Sequence, residues 1–252
     1  MSAIVIIPAR YASTRVPGKP RALLKGMPVI QHVYQHAVHC RLADDVVVAT
    51  DSETIFEKVL SFGGKAVMTS GNHASGTDRI AEVASQMNYD IIVNVQGDEP
   101  LIQPEMIDDV ISVLDDPRAS IGTLATRIKD QKETFNPNVV KVVFNLNGFA
   151  FYFSRAPIPY HRDEWKDLDH FTIHDSHFMV FKHIGIYSYR KEVLTQLSKL
   201  PQSRLEVIEK LEQLRALEHG FIIKVKETVH DTSGVDTPED LERIEKCLNS
   251  SL

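Results

Sequence analysis

Between residues 10 and 25 the chain carries Arg10, Arg15, Lys19, Arg21 and Lys25 and no acid at all, although its formal net charge is −6. Positive charge concentrated in this way suits a small polyanion. In Pro8-Ala-Arg10-Tyr-Ala-Ser13-Thr-Arg15-Val-Pro17-Gly18-Lys19-Pro20 a turn can place three cations around a triphosphate. Guanidinium forks would grip non-bridging oxygens and the ammonium would act as a point charge. With a single glycine, the segment is neither a dinucleotide fingerprint nor a Walker loop. Two acids also follow glycine-containing turns: Asp98 in Gln96-Gly97-Asp98-Glu99-Pro100 and Asp236 in Gly234-Val-Asp236-Thr-Pro238. Opposite a triphosphate, Asp98 reads as a Mg²⁺ ligand, because Mg²⁺ binds through one or two carboxylates plus substrate phosphates. By itself, Gly-Asp-Glu-Pro is ordinary turn chemistry. Asp236 is the candidate second carboxylate, and equally a cap for a helix that Pro238 opens.

Ala3–Pro8, Asp45–Thr50 and Asp90–Val95 are runs rich in β-branched residues, the pattern of strands buried on both faces of a parallel sheet. Helical periodicity fills the gaps, through Val29, Val33 and Ala37, then Ile55, Val59 and Leu60, then Ile80, Val83 and Ala84. Strand alternating with helix predicts an α/β fold with a doubly wound, mostly parallel sheet. In such sheets ligands bind beyond the carboxyl ends of the strands. Arg10 follows the first run and Gln96 to Asp98 follow the third, so both would lie on that edge.

Beyond residue 120 the rhythm changes. Lys141–Phe144 and Ala150–Phe153 read as a hairpin closed through Asn145-Leu-Asn-Gly148. Residues 155–182 read as one long irregular loop holding Pro157, Pro159, the only Trp and, with His183 just after it, five histidines: His161, His170, His174, His177 and His183. Their spacing fits no common zinc pattern. Leu205 to His219 reads as a single helix, with an i,i+4 pair from Glu206 to Lys210 and Gly220 as its stop.

A length of 252 residues, 43% of them hydrophobic and 25% charged, supports a real core in one α/β domain. The acidic balance argues against nucleic acid as a partner. The first apolar run is too short for a signal sequence, and no run approaches the roughly 20 residues of a membrane span. Cys40 and Cys247 stand apart, as expected of isolated thiols in the cytoplasm.

Six blocks, in order, carry a resemblance that spans essentially the whole chain. They are Ile-Pro-Ala-Arg-Tyr-Ala-Ser-Thr-Arg-x-Pro-Gly-Lys-Pro, Asn-Val-Gln-Gly-Asp-Glu-Pro, Phe-Asn-Pro-Asn-x-Val-Lys-Val-Val, Tyr-Phe-Ser-Arg-Ala-x-Ile-Pro, Leu-Glu-Gln-Leu-Arg and Gly-Val-Asp-Thr-Pro-Glu-Asp-Leu-Glu. Together they closely resemble the 3-deoxy-manno-octulosonate (Kdo) cytidylyltransferases. The resemblance implies a homodimer that couples CTP to an acidic eight-carbon sugar of lipopolysaccharide and releases pyrophosphate. It implies that Arg10, Ser13, Arg15 and Lys19 hold the nucleotide, with His73, Ser75, Gly76, Arg79 and Gln96, and that Asp98 and Asp236 hold catalytic Mg²⁺. For the sugar it implies Arg15, Arg79, Gln96, Arg155, Arg162, His183, Tyr187, Glu212 and Gln213. A region of about 136–190 would be an insertion, a small β-rich subdomain for sugar binding and dimerisation, within a single domain 1–252. Val16, Arg21 and the stretch 165–181 depart from the family pattern. A related acidic sugar, such as an amino-substituted Kdo or a sialic acid, is the rival substrate. A catalytically silent nucleotide-binding regulator is the rival function, since fold does not fix function.

Overall fold

The structure is a computed structural model that describes residues 1–10, 23–73, 75–162, 165, 179–232, 234–235 and 238–250. The first apolar run forms β1 (Ala3–Ala9), followed by the short β2 (Leu23–Leu24) and β3 (Met27–Pro28) and by α1 (Val29–Val38). β4 (Asp45–Thr50), α2 (Glu53–Ser61), β5 (Ala66–Met68), α3 (Gly76–Ser85) and β6 (Ile91–Asn94) complete the alternating half. Next come α4 (Pro104–Ser112), β7 (Ile121–Arg127), α5 (Gln131–Phe135), β8 (Lys141–Phe144), β9 (Ala150–Ser154) and β10 (Phe181–Arg190). The chain ends in α6 (Lys191–Leu197), α7 (Arg204–Glu209), α8 (Gln213–Glu218), β11 (Ile223–Glu227) and α9 (Pro238–Ser250).

The main sheet runs β11-β7-β10-β6-β1-β4-β5. All its pairings are parallel except those of β10, which lies antiparallel between β7 and β6. Helices cover both faces: α1, α2 and α4 bury Val33, Val59 and Ile107 with Val5 and Ile7, while α3, α6 and α8 bury Ile80, Leu194 and Leu214 with Ile4 and Ile6. A strand coated on both sides must be apolar at every position, which is why β1 reads as an unbroken run.

Three expectations need correction. Leu60 shares the helical spacing of Ile55 and Val59 but lies on the outer side of α2, half exposed, while the other two are fully buried. Residues 181 and 182 belong to β10 and not to the loop, and their pairing with Arg127 and Thr126 on one side and with Val142 and Lys141 on the other extends the sheet to the β8–β9 hairpin. The helix expected over 205–219 is broken, for Lys210 takes a left-handed backbone (φ +54°) that ends α7. Glu206 therefore turns away from Lys210 and pairs with buried Arg215, through Nε (2.8 Å) and Nη2 (2.5 Å). Gly148 and Gly220 do sit where turns need positive φ, at +84° and +80°.

β1 and β6 lie side by side, and the turn after β6 presses against the end of β1. A β-carbon on Gly97 would stand 2.9 Å from the Pro8 carbonyl oxygen and 3.1 Å from Ile30 Cδ1. Gly97→Ala should therefore destabilise the protein by about 1–3 kcal/mol, read as a lower urea midpoint with unchanged m.

Candidate active site

Where the strand order reverses, β1 is flanked by β4 on one side and β6 on the other, and their carboxyl ends open a crevice. Arg10 stands exposed directly after β1. Gln96, Gly97 and Asp98 form the turn after β6, with Gln96 and Asp98 half-buried. The Val235 N–H donates to the Asp98 carbonyl (2.9 Å), so the segment that precedes Asp236 is fastened to the Asp98 turn. Ser13, Arg15, Lys19 and Asp236 themselves lie outside the described residues, as do His170, His174 and His177.

Beside this turn is a cleft of about 260 Å³ lined by Gly76, Thr77, Asn94, Gln96, Tyr187, Tyr189, Glu212 and Gln213. Of the residues expected at the sugar, it brings together Gln96, Tyr187, Glu212 and Gln213. Each arrives on a different support. Tyr187 and Tyr189 are two apart on β10, hence on one face of the strand, and their rings stack 5.9 Å apart. Burial pushes both phenols upward in pKa, so they remain neutral hydrogen-bonding groups. Glu212 and Gln213 lie at the start of α8, just beyond the break after α7. Glu212 accepts a hydrogen bond from Thr77 Oγ1 (2.8 Å), and burial raises its pKa. Such a carboxylate is suited to accepting hydrogen bonds from hydroxyls of a polyol.

The loop before α3 is held by a capping box, a histidine–carboxylate contact and a buried ion pair. Ser75 caps the helix, its Oγ accepting from the Asp78 N–H (3.1 Å) while its own N–H donates to Asp78 Oδ2 (3.1 Å). His73 meets Glu82, which also accepts from the Ser70 N–H (3.1 Å). Arg79 is fully buried, its Nη2 on Asp51 (2.7 Å) and its Nη1 on Thr69. It is thus no free fork for substrate; it fixes the loop from beneath.

Arg155 is likewise occupied. Its Nε donates to the carbonyl of Glu209 (2.7 Å), Nη1 to that of Pro137 (2.8 Å) and Nη2 to that of Lys210 (3.4 Å). Arg162 is exposed. His183 does not line the cleft: its ring packs edge-on against Phe153 (5.0 Å) beside Tyr187 (5.3 Å), with Nε2 3.0 Å from Thr123 Oγ1. Sequence reasoning missed Asn94 and Tyr189, and reached Thr77 only as part of the loop Thr69 to Arg79 that the resemblance places at nucleotide and sugar. Thr77 and Asn94 are buried polar residues inside regular elements, and only the alternation Tyr187-x-Tyr189 hinted that the last would share the cleft. Among the described residues no group of three or more His, Cys, Asp and Glu side chains is placed to hold a metal ion.

Two outcomes follow. Removing Asp51 strands a buried guanidinium, so Asp51→Ala should cost about 3–5 kcal/mol in chemical denaturation. Burial pushes the His183 pKa down to about 3. The unfolded chain then binds this proton first, and stability should fall as pH drops from about 6.5 towards 3. An NMR titration should show its ring signals flat between pH 8 and 5; a midpoint near 6.5 would contradict the packing described.

Residues 4–229 match the family model described as cytidylyltransferase. The chain is 54% identical over 258 residues to the 3-deoxy-manno-octulosonate cytidylyltransferase of Thermodesulfovibrio yellowstonii, covering 99% of each. It is 51% identical to that of Geobacter sulfurreducens, covering 97% of this chain and 98% of the relative. It also superposes on the solved structure of CMP:2-keto-3-deoxy-manno-octonic acid synthetase complexed with CTP, with a TM-score of 0.91, 42% identity and full coverage of both chains. A cleft at the carboxyl ends of a doubly wound sheet, an acid-bearing turn beside it and near-complete matches to these proteins together place the chain in the 3-deoxy-manno-octulosonate cytidylyltransferase family.

Proposed function

We propose that the protein transfers CMP from CTP to the anomeric hydroxyl of 3-deoxy-manno-octulosonate, giving CMP-Kdo and pyrophosphate for lipopolysaccharide assembly, with Mg²⁺ as cofactor. The observation that carries this reading is the cleft in which Gln96, Tyr187, Glu212 and Gln213 converge beside the Asp98 turn. Amide, phenol and carboxylate groups on one wall match a polyhydroxylated sugar, and Arg10, the first of the cations, stands on the same edge.

In this reading Arg10, Arg15 and Lys19 bind the triphosphate, and their charge stabilises the pyrophosphate as it leaves. Glu212, Gln213 and Gln96 orient the sugar so that its C2 hydroxyl faces the α-phosphorus for in-line attack, and positioning of this kind supplies much of the acceleration. Asp98 and Asp236 would hold Mg²⁺; the Val235 to Asp98 hydrogen bond supports that fit, because it fastens the two carboxylate-bearing segments together. When bound, the cation lowers the hydroxyl's pKa and offsets phosphate charge. We assign the reaction to the cytoplasm and the active form to a homodimer. Exposed Leu146 and Phe151 on the β8–β9 hairpin support the latter as an apolar surface.

Pyrophosphate release from CTP should require Kdo and Mg²⁺ and should be weak with a sialic acid; equal rates with both sugars would overturn the substrate assignment. Asp98→Asn and Asp236→Asn should each lower kcat about a hundredfold or more while leaving metal-free CTP binding intact. Near-normal turnover of Asp236→Asn would leave that residue a helix cap. Phe151→Asp should shift the protein to monomers in light scattering, and a persistent dimer would move the interface elsewhere.

A further inference from the structure

Lys141 is completely buried in β8, the kind of position lysine rarely takes unless its ammonium is matched by acceptors. Its Nζ donates to three backbone carbonyls, those of Val139 (2.6 Å), Arg155 (2.8 Å) and Asn136 (3.0 Å). One cation thus gathers the turn before β8 and the chain leaving β9. Arg155, whose carbonyl it holds, uses its own guanidinium on the carbonyls of Glu209, the last residue of α7, of Lys210 just after it, and of Pro137. Glu209 closes the ring, its carboxylate accepting from Ser154 Oγ (2.7 Å) and from the Arg155 N–H (3.0 Å).

The α7 carbonyls that Arg155 caps are the ones a continuing helix would have satisfied. The chain breaks there, Lys210 turns left-handed, and α8 starts with Glu212 and Gln213 on the wall of the cleft. A straight helix through 205–219 would have carried both side chains round to another direction.

We infer that Lys141, Arg155 and Glu209 form a positioning cluster that sets the α7–α8 break and thereby aims Glu212 and Gln213 at the acidic sugar, without touching substrate. The inference rests on the reading of that cleft as the sugar site. It also gives Arg155 a role different from binding the sugar's carboxylate. Burial and the neighbouring guanidinium push the Lys141 pKa down to about 8. The ammonium that serves three acceptors is therefore held at some cost, as expected of a group retained for geometry.

The test is steady-state pyrophosphate release by the full chain, with CTP and Kdo varied separately. Lys141→Met should raise the KM for Kdo about tenfold or more while the KM for CTP changes less than about twofold, and Lys141→Arg should recover most of the loss. Equal changes in both KM values, a change confined to kcat, or no rescue by arginine would overturn the inference. If Lys141→Met does not fold, Arg155→Met decides, because its side chain lies nearer the surface. A positioning role demands a higher KM for Kdo together with faster amide hydrogen exchange across residues 204–218, whereas a higher KM with unchanged exchange would make Arg155 a direct ligand. Gln213→Ala separates the two readings. Should it leave the KM for Kdo unchanged, the cleft is not the sugar site; should it raise that KM while the Lys141 variants do not, the cluster alone is wrong.

Discussion

The active-site edge depends on how closely the backbone after β6 approaches the end of β1. Gly97 leaves no room for a β-carbon beneath the Pro8 carbonyl, so only glycine lets the turn bearing Asp98 lie this close to the strand that leads to Arg10. The same turn offers its carbonyl to Val235, far along the chain, and so collects a third segment. The end of β1, the turn bearing Asp98 and the segment at Val235 are thus brought together by backbone packing and a hydrogen bond, with no charge involved.

Buried charge serves the rest of the site in a consistent way. Arg79 with Asp51, Arg215 with Glu206 and Lys141 with its carbonyls are buried charges with fixed partners. Ion pairs in such positions contribute little net stability, since desolvation offsets most of the attraction. Their use here is directional: a guanidinium satisfied by a fixed set of oxygens tolerates one local geometry and excludes its neighbours. The hydrophobic core sets where the helices pack, and these groups set where the loops between them stop.

How much of this the sequence disclosed depended on the range of the physics involved. β1, β4 and β6 were legible because burial on both faces demands apolar residues throughout, and the Asn145–Gly148 turn because positive φ at Gly148 demands glycine. Gln96 was legible at the ligand edge because it follows the third run, whereas Tyr187, Glu212 and Gln213 were legible only through resemblance, as nothing in their local spacing marks them. Periodicity misled at residues 205–219, where the helical pattern is sound and a distant guanidinium on the carbonyls of Glu209 and Lys210 outweighs it. Arg79 and Arg155 look in sequence like surface forks. Their acceptors, Asp51, Thr69 and main-chain oxygens from other elements, are visible only once the chain is folded.

β10 enters the sheet against the direction of its neighbours, held at its start by β7 and β8 and at its end by β7 and β6. Its register is fixed at both ends by hydrogen bonds that do not involve residues 156–179. That segment can therefore lengthen, shorten or change composition over evolutionary time without shifting Tyr187 or Tyr189. The entropic penalty is small, because doubling a loop adds only about 0.6 kcal/mol. Relatives built on this sheet are free to diversify that segment while Tyr187 and Tyr189 stay in place.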